Sequence, residues 1–248
     1  LVLHYYWCDG YIRGGTGDEL PMRPLLAQGV ASLCVNTSAV HQVKQDPLAN
    51  WKIAQSGLTT IVKQLARQGL IDRRKVGMQG LSFGSEVTTW MATQTDLLTA
   101  AALASGQLEP ATYWFEIGKG KDYAEIMQSI YGLGDPDRVP EDWHRLSAAR
   151  HADLMKPAML MQLPESEAKW SIELSAKLAR SSTPFEFYVF PNAPHIKSEP
   201  RQKLAAYERN MAWFAFWLGG RVVIDPADPG RVDRWRAMAA TWHSAKVR

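Results

Sequence analysis

The residues with the clearest chemical potential are Gly80-Leu81-Ser82-Phe83-Gly84, a G-x-S-x-G pentapeptide. It follows a short apolar run, Val76-Gly77-Met78-Gln79, and precedes a helical pattern over residues 86–93, which predicts a strand-to-helix turn. The reason for the spacing is steric. Small residues two positions either side of the serine let the helix pass close to the strand, and the turn lifts the Ser82 hydroxyl above the sheet. The same geometry directs the Phe83 N–H towards an oxyanion forming beside it. A serine hydroxyl is a poor nucleophile until a base removes its proton. Of the six histidines, His195 is the best placed, in the loop Pro191-Asn192-Ala193-Pro194-His195 between a strand pattern over 184–190 and a long helical one. His4, His41, His144, His151 and His243 read as structural or surface residues.

A histidine base needs a carboxylate to fix its tautomer and to stabilise the imidazolium it becomes. The segment after the strand pattern at 157–162 reads Leu163-Pro164-Glu165-Ser166-Glu167-Ala168 and holds no aspartate. The acid is therefore Glu167 or Glu165. Glu167 is preferred because it lies further from the strand end, where the chain can turn back towards His195. A second oxyanion donor is expected at the end of the first strand, where His4-Tyr5-Tyr6-Trp7 offers the Tyr6 hydroxyl. Gly14-Gly15-Thr16-Gly17 satisfies neither phosphate-loop pattern and reads as a turn near the rim of the site. Tyr113-Trp114-Phe115 is a candidate substrate groove, and Arg13 reads as a surface arginine. No metal-ligand cluster is apparent, and no cofactor is expected.

Elements that could hold these residues alternate along the chain. Strand patterns fall at 1–6, 31–35, 76–79, 98–104, 157–162 and 184–190. Helical patterns fall at 51–68, with Ile53, Leu58, Ile61, Val62 and Leu65 on one face, and at 86–93, 172–180 and 201–218. Residues 107–150 break the rhythm and read as irregular. Such alternation predicts an α/β fold, a mostly parallel, doubly wound sheet with helices on both faces. The 248 residues suit one large domain over 1–220 with an extension at 221–248. The balance of 28 basic and 25 acidic residues, scattered along the chain, does not resemble a nucleic-acid surface. No apolar run is long enough to span a membrane. Two cysteines, Cys8 and Cys34, exclude a disulfide scaffold, and their pairing and the compartment, cytoplasm or periplasm, stay open. The chain opens in mid-strand with no charged segment ahead of it, so it reads as a fragment or as one half of a two-part protein, not as a signal peptide.

The order Tyr6, Gly80-Leu81-Ser82-Phe83-Gly84, acidic segment, Pro194-His195 resembles the catalytic domain of the prolyl oligopeptidase family of serine peptidases. Within that family, the stretches 13–19, 131–136, 161–168, 194–197 and 213–218 look like those of the lasso peptide isopeptidases. The resemblance covers about residues 1–220 and implies an α/β-hydrolase fold. It implies a triad of Ser82, His195 and Glu167, with Tyr6 and the Phe83 amide as oxyanion hole. Glutamate in place of the family's usual aspartate fits the isopeptidase subgroup. The expected activity is hydrolysis of the isopeptide bond of a threaded lasso peptide. A general oligopeptidase or esterase is the alternative, and a catalytically silent binding module a more distant one. An N-terminal β-propeller portion, which screens substrates by size in this family, is the implied partner; its strands and those ahead of the sheet are absent from this chain.

Overall fold

The computed structural model describes residues 1–8, 19–37, 46–106, 108–116 and 123–246. Six strands, β1 (Val2–Tyr6), β2 (Ser32–Asn36), β3 (Gly77–Gly80), β4 (Ala100–Leu103), β5 (Ala158–Pro164) and β6 (Phe185–Phe190), form one sheet in the order β2-β1-β3-β4-β5-β6. Every adjacent pair is parallel. The order reverses at β1, and in such sheets the crevice beyond the carboxyl ends of the strands is where sites form.

Alternation along the strands divides the core between two faces. Leu3 and Tyr5 of β1 and Met78 of β3 pack against α2 (Pro47–Arg67) and α3 (Phe83–Gln94) through Trp51, Leu58, Val87 and Met91. Met159, Met161 and Leu163 continue that face towards α8 (Ile172–Leu178). Val2, Ala100, Ala102, Ala158 and Leu160 point the other way, with Leu25 of α1 (Arg23–Ala27), onto Trp213, Phe214 and Trp217 of α9 (Pro200–Gly219). The small β4 side chains leave room for those rings. Both long helices start on side-chain caps followed by proline. Asp46 accepts from Ala49 N–H at 2.8 Å, and Glu199 from Gln202 N–H at 2.7 Å.

Two features differ from the sequence expectation, and a third decides a point it left open. Within 107–150 lie short helices α4 (Pro110–Trp114), α5 (Tyr123–Tyr131) and α6 (Pro140–Leu146), two of them opened by a proline whose missing N–H costs nothing at that position. On α2 the buried stripe is Trp51, Ala54, Leu58 and Val62, while Ile53 is exposed, because the large Trp51 ring sets the rotation of the helix. Cys8 and Cys34 are joined in a disulfide with Cα atoms 5.7 Å apart. Residues 221–248 include α10 (Arg231–Lys246), whose Trp235 packs edge-on against Trp213. Among the described residues no helix is long and apolar enough to cross a membrane.

The disulfide closes a loop of 26 residues across the start of the sheet. Constraining that loop in the unfolded chain is worth about 3 kcal/mol. Urea unfolding of a Cys8→Ser, Cys34→Ser variant should show a loss of that size, and reductant should bring the wild-type chain to the same value. Equal stability with and without reductant contradicts this role.

Candidate functional site

The turn between β3 and α3 has the close packing its glycines imply. A Cβ on Gly80 would lie 2.2 Å from the Gly84 carbonyl carbon and oxygen, and one on Gly84 would lie 2.6 Å from the Tyr5 carbonyl oxygen. Neither position accepts a side chain. Between them Ser82 sits at φ 57°, ψ −127°, a conformation costly for a residue with a Cβ. Hydrogen bonds on both sides hold it there: Ser82 N–H donates to the Ser105 carbonyl at 2.8 Å, and the Ser82 carbonyl accepts from Ser85 N–H at 2.8 Å. Phe83 is the first residue of α3, at the positive end of the helix dipole.

His195 lies beyond β6, in a loop turned by Asn192 at φ 54°, a value asparagine tolerates better than most residues. Glu167 lies beyond β5, on the single-turn helix α7 (Glu165–Ala168). Its carboxylate is buried and meets both neighbouring strand ends. Oε1 is 2.5 Å from His195 Nδ1, and Oε2 accepts from Gly106 N–H at 3.0 Å. A carboxylate has no proton to give, so Nδ1 carries one and the Nε2 lone pair is left for chemistry. The hydrogen bond to Glu167 raises the His195 pKa above the ordinary imidazole value, outweighing desolvation. Glu165 is exposed and accepts only a long bond, 3.3 Å, from Asn192 N–H. Of the two glutamates, it is Glu167 that the fold brings to His195.

Ser82, Glu167 and His195 line one open cavity of about 410 Å³. Its wall includes Tyr113 and Trp170, edge to face with centroids 4.6 Å apart, and Glu116. Glu116 pairs with Lys169 and accepts from Trp170 Nε1–H at 2.6 Å. Sequence reasoning named Tyr113 but missed Trp170 and Glu116, which lie far apart along the chain without a local motif. Trp114 packs on Trp143, and Phe115 is exposed. Tyr6 ends β1 at φ 127°, its ring 5.5 Å from that of Phe83 and beside the serine turn; it is not among the cavity-lining side chains. Arg13, His41 and the 14–17 turn lie outside the described residues. His4 is buried in β1 with Nδ1 3.1 Å from the Gln79 carbonyl, and burial lowers its pKa to about 4.

Three further titratable groups are coupled to His195. Glu86, one turn along α3 from Ser82, lines a separate cleft with Trp51 and Trp90, where desolvation pushes its carboxyl up to about 8. Burial therefore favours the neutral form of the Glu86 carboxyl. Lys197 and Glu19 form a fully buried pair, 3.5 Å apart, on the other side. Replacing Glu167 by Gln should lower the His195 pKa, because the amide cannot stabilise imidazolium as a carboxylate does. A histidine NMR titration of Glu167→Gln and Glu165→Gln checks this. The first should shift downwards and the second stay at the wild-type value; an unmoved Glu167→Gln titration contradicts the pairing.

Comparison with known proteins bears on the family and the fold. Residues 53–221 match the model of the prolyl oligopeptidase family. A curated relative, the lasso peptide isopeptidase AtxE2 of Asticcacaulis excentricus, is 29% identical over 97% of this chain, which spans 36% of that protein's length. The solved apo structure of AtxE2 superposes with a TM-score of 0.83 at 26% identity, covering 97% of this chain and 38% of that one. A variant of AtxE2 with Astexin3-dC4 bound gives 0.79 at 28% identity, with the same coverage. An acylaminoacyl peptidase of Pyrococcus horikoshii, at 19% identity and a TM-score of 0.68 over 89% of this chain and 37% of that one, shares the fold.

Proposed function

The chain belongs to the prolyl oligopeptidase family, and on that premise we propose that it is a serine hydrolase that opens the isopeptide bond of a threaded lasso peptide. The observation that carries the proposal is the His195–Glu167 contact at the cavity that also holds Ser82. The likeness to a lasso peptide isopeptidase over nearly the whole chain supports the substrate class.

In this reading Ser82 Oγ attacks the side-chain carbonyl of the Asp or Glu that closes the substrate's ring. His195 Nε2 takes the hydroxyl proton, and Glu167 holds the imidazole and stabilises its charged form. The oxyanion is met by the Phe83 N–H and the Tyr6 hydroxyl. Collapse of the intermediate breaks the C–N bond, and His195 passes its proton to the departing N-terminal amine. Water then attacks the ester and His195 takes its proton; the ester C–O bond breaks, His195 returns the proton to Ser82 Oγ, and the peptide leaves linear and one water heavier. The open cavity, walled by Tyr113 and Trp170, offers room beside the serine that a threaded ring needs. The β-propeller portion implied by the family resemblance completes the proposal as the screen for substrates.

Mass spectrometry of a macrolactam-containing threaded peptide incubated with the protein tests this. The expected product gains the mass of one water, about 18 Da, and is absent with Ser82→Ala. Tyr6→Phe should lower kcat by about 10²–10³, the usual effect of losing one oxyanion donor. Turnover of linear peptides or p-nitrophenyl esters with the threaded peptide untouched would move the activity to a general oligopeptidase or esterase. A chain inert to all of these is a silent fold.

A further inference from the structure

Three consecutive residues at the end of β4, Ala104-Ser105-Gly106, bond to each part of the site. Ser105 accepts at its carbonyl from Ser82 N–H, and Gly106 N–H donates to Glu167. The third link is a side chain. Ser105 Oγ lies 2.7 Å from the His195 carbonyl oxygen and 2.6 Å from that of Ala104, so its one proton is shared between two acceptors. Ser105 is wholly buried. The same loop is fixed again two residues on, where Lys197 Nζ donates to the Ala104 carbonyl at 2.9 Å and faces Glu19.

We propose that Ser105 is a positioning residue of this site, its hydroxyl setting the height of the His195 loop against the Ser82 turn and the Glu167 carboxylate. The inference rests on the serine hydrolase reading above and adds a residue that the triad logic does not call for. Ser105 touches no reacting atom. It bonds the backbone of His195 with its side chain and the backbone of Ser82 with its own backbone, so one residue fixes the separation of base and nucleophile. The other ties to this strand end are backbone pairs or come from the charged side chains of Glu167 and Lys197. The hydroxyl is the one link that a single small change removes while every titratable group near His195 stays in place. Those groups are Glu167, Glu86, Glu19 and Lys197. Because these groups are common to both chains, a shift of the pH midpoint between wild type and Ser105→Ala reports the His195–Glu167 geometry.

The test is the second-order rate of Ser82 phosphonylation by a fluorophosphonate probe across pH, for the full chain as wild type, Ser105→Ala and Ser105→Thr, with melting temperatures alongside. In this reaction Ser82 Oγ bonds phosphorus, fluoride leaves, and His195 takes the proton. Ser105→Ala should react more slowly by about 10-fold to 10²-fold, the scale of a small misplacement of a catalytic group. Its midpoint should move to lower pH as the Glu167 contact loosens, while melting stays within a few degrees. Ser105→Thr keeps the hydroxyl and should recover most of the rate. A wild-type rate and midpoint in Ser105→Ala would overturn the positioning role alone. A loss that tracks unfolding, with no midpoint shift, would reduce Ser105 to a structural residue. A wild-type chain inert to the probe would overturn the hydrolase reading, and the positioning role with it.

Discussion

The site depends on how closely α3 can lie against the strand it has just left. With 2.2 Å between the Gly84 carbonyl and the place where a Gly80 Cβ would be, the helix starts almost on top of β3. That proximity forces the intervening serine into a left-handed conformation and holds it above the carboxyl edge of the sheet. The Tyr5 carbonyl, pressed against Gly84, brings the end of β1 into the same contact, with Tyr6 and Phe83 ring to ring. Everything else in the site is arranged around a point that this turn has fixed.

Around that point the side chains are arranged so that a bonded carboxylate raises the pKa of His195. Glu167 is buried but satisfied, one oxygen on Gly106 and the other on His195. Burial of a carboxylate is tolerated when both oxygens are bonded, and removing one partner would leave the other short of compensation. Glu86, where desolvation outweighs the hydrogen bond with Trp51, is pushed up in pKa. Lys197 and Glu19 neutralise each other beneath the loop, so the loop gains a fixed anchor without a net charge beside the base. The neighbouring strand ends thus supply Tyr6, Ser82, Gly106, Glu167 and His195 at one edge, as a parallel sheet reversing at β1 allows.

Much of this was legible in the sequence because the informative residues are local. Glycines two either side of Ser82 have one steric explanation, and the strand–helix alternation predicts a parallel sheet without any contact being known. Between Glu165 and Glu167 the chain direction favoured the second, and it is the one found against His195. What was not legible depends on residues distant in sequence. Trp170 and Glu116 meet across the cavity from different segments. Ser105 looks like any residue ending a strand until its hydroxyl is seen on His195. Cys8 and Cys34 are paired only because β1 and β2 lie side by side. The short helices in 107–150 were obscured by aromatic and proline content that masks their period, and the rotation of α2 by a tryptophan that outweighs Ile53.

The central claim is that the fold makes Ser82, and no other hydroxyl, a nucleophile through His195. Peptide mapping of the fluorophosphonate-treated protein reads this directly, since the phosphorus stays bonded to the oxygen that attacked. The expected result is a single adduct on Ser82, forming faster as pH rises through the elevated His195 pKa and failing to form in Ser82→Ala. An adduct on Ser85 or Ser166 instead, or labelling of Ser82 at the same rate above and below that pKa, would contradict the account.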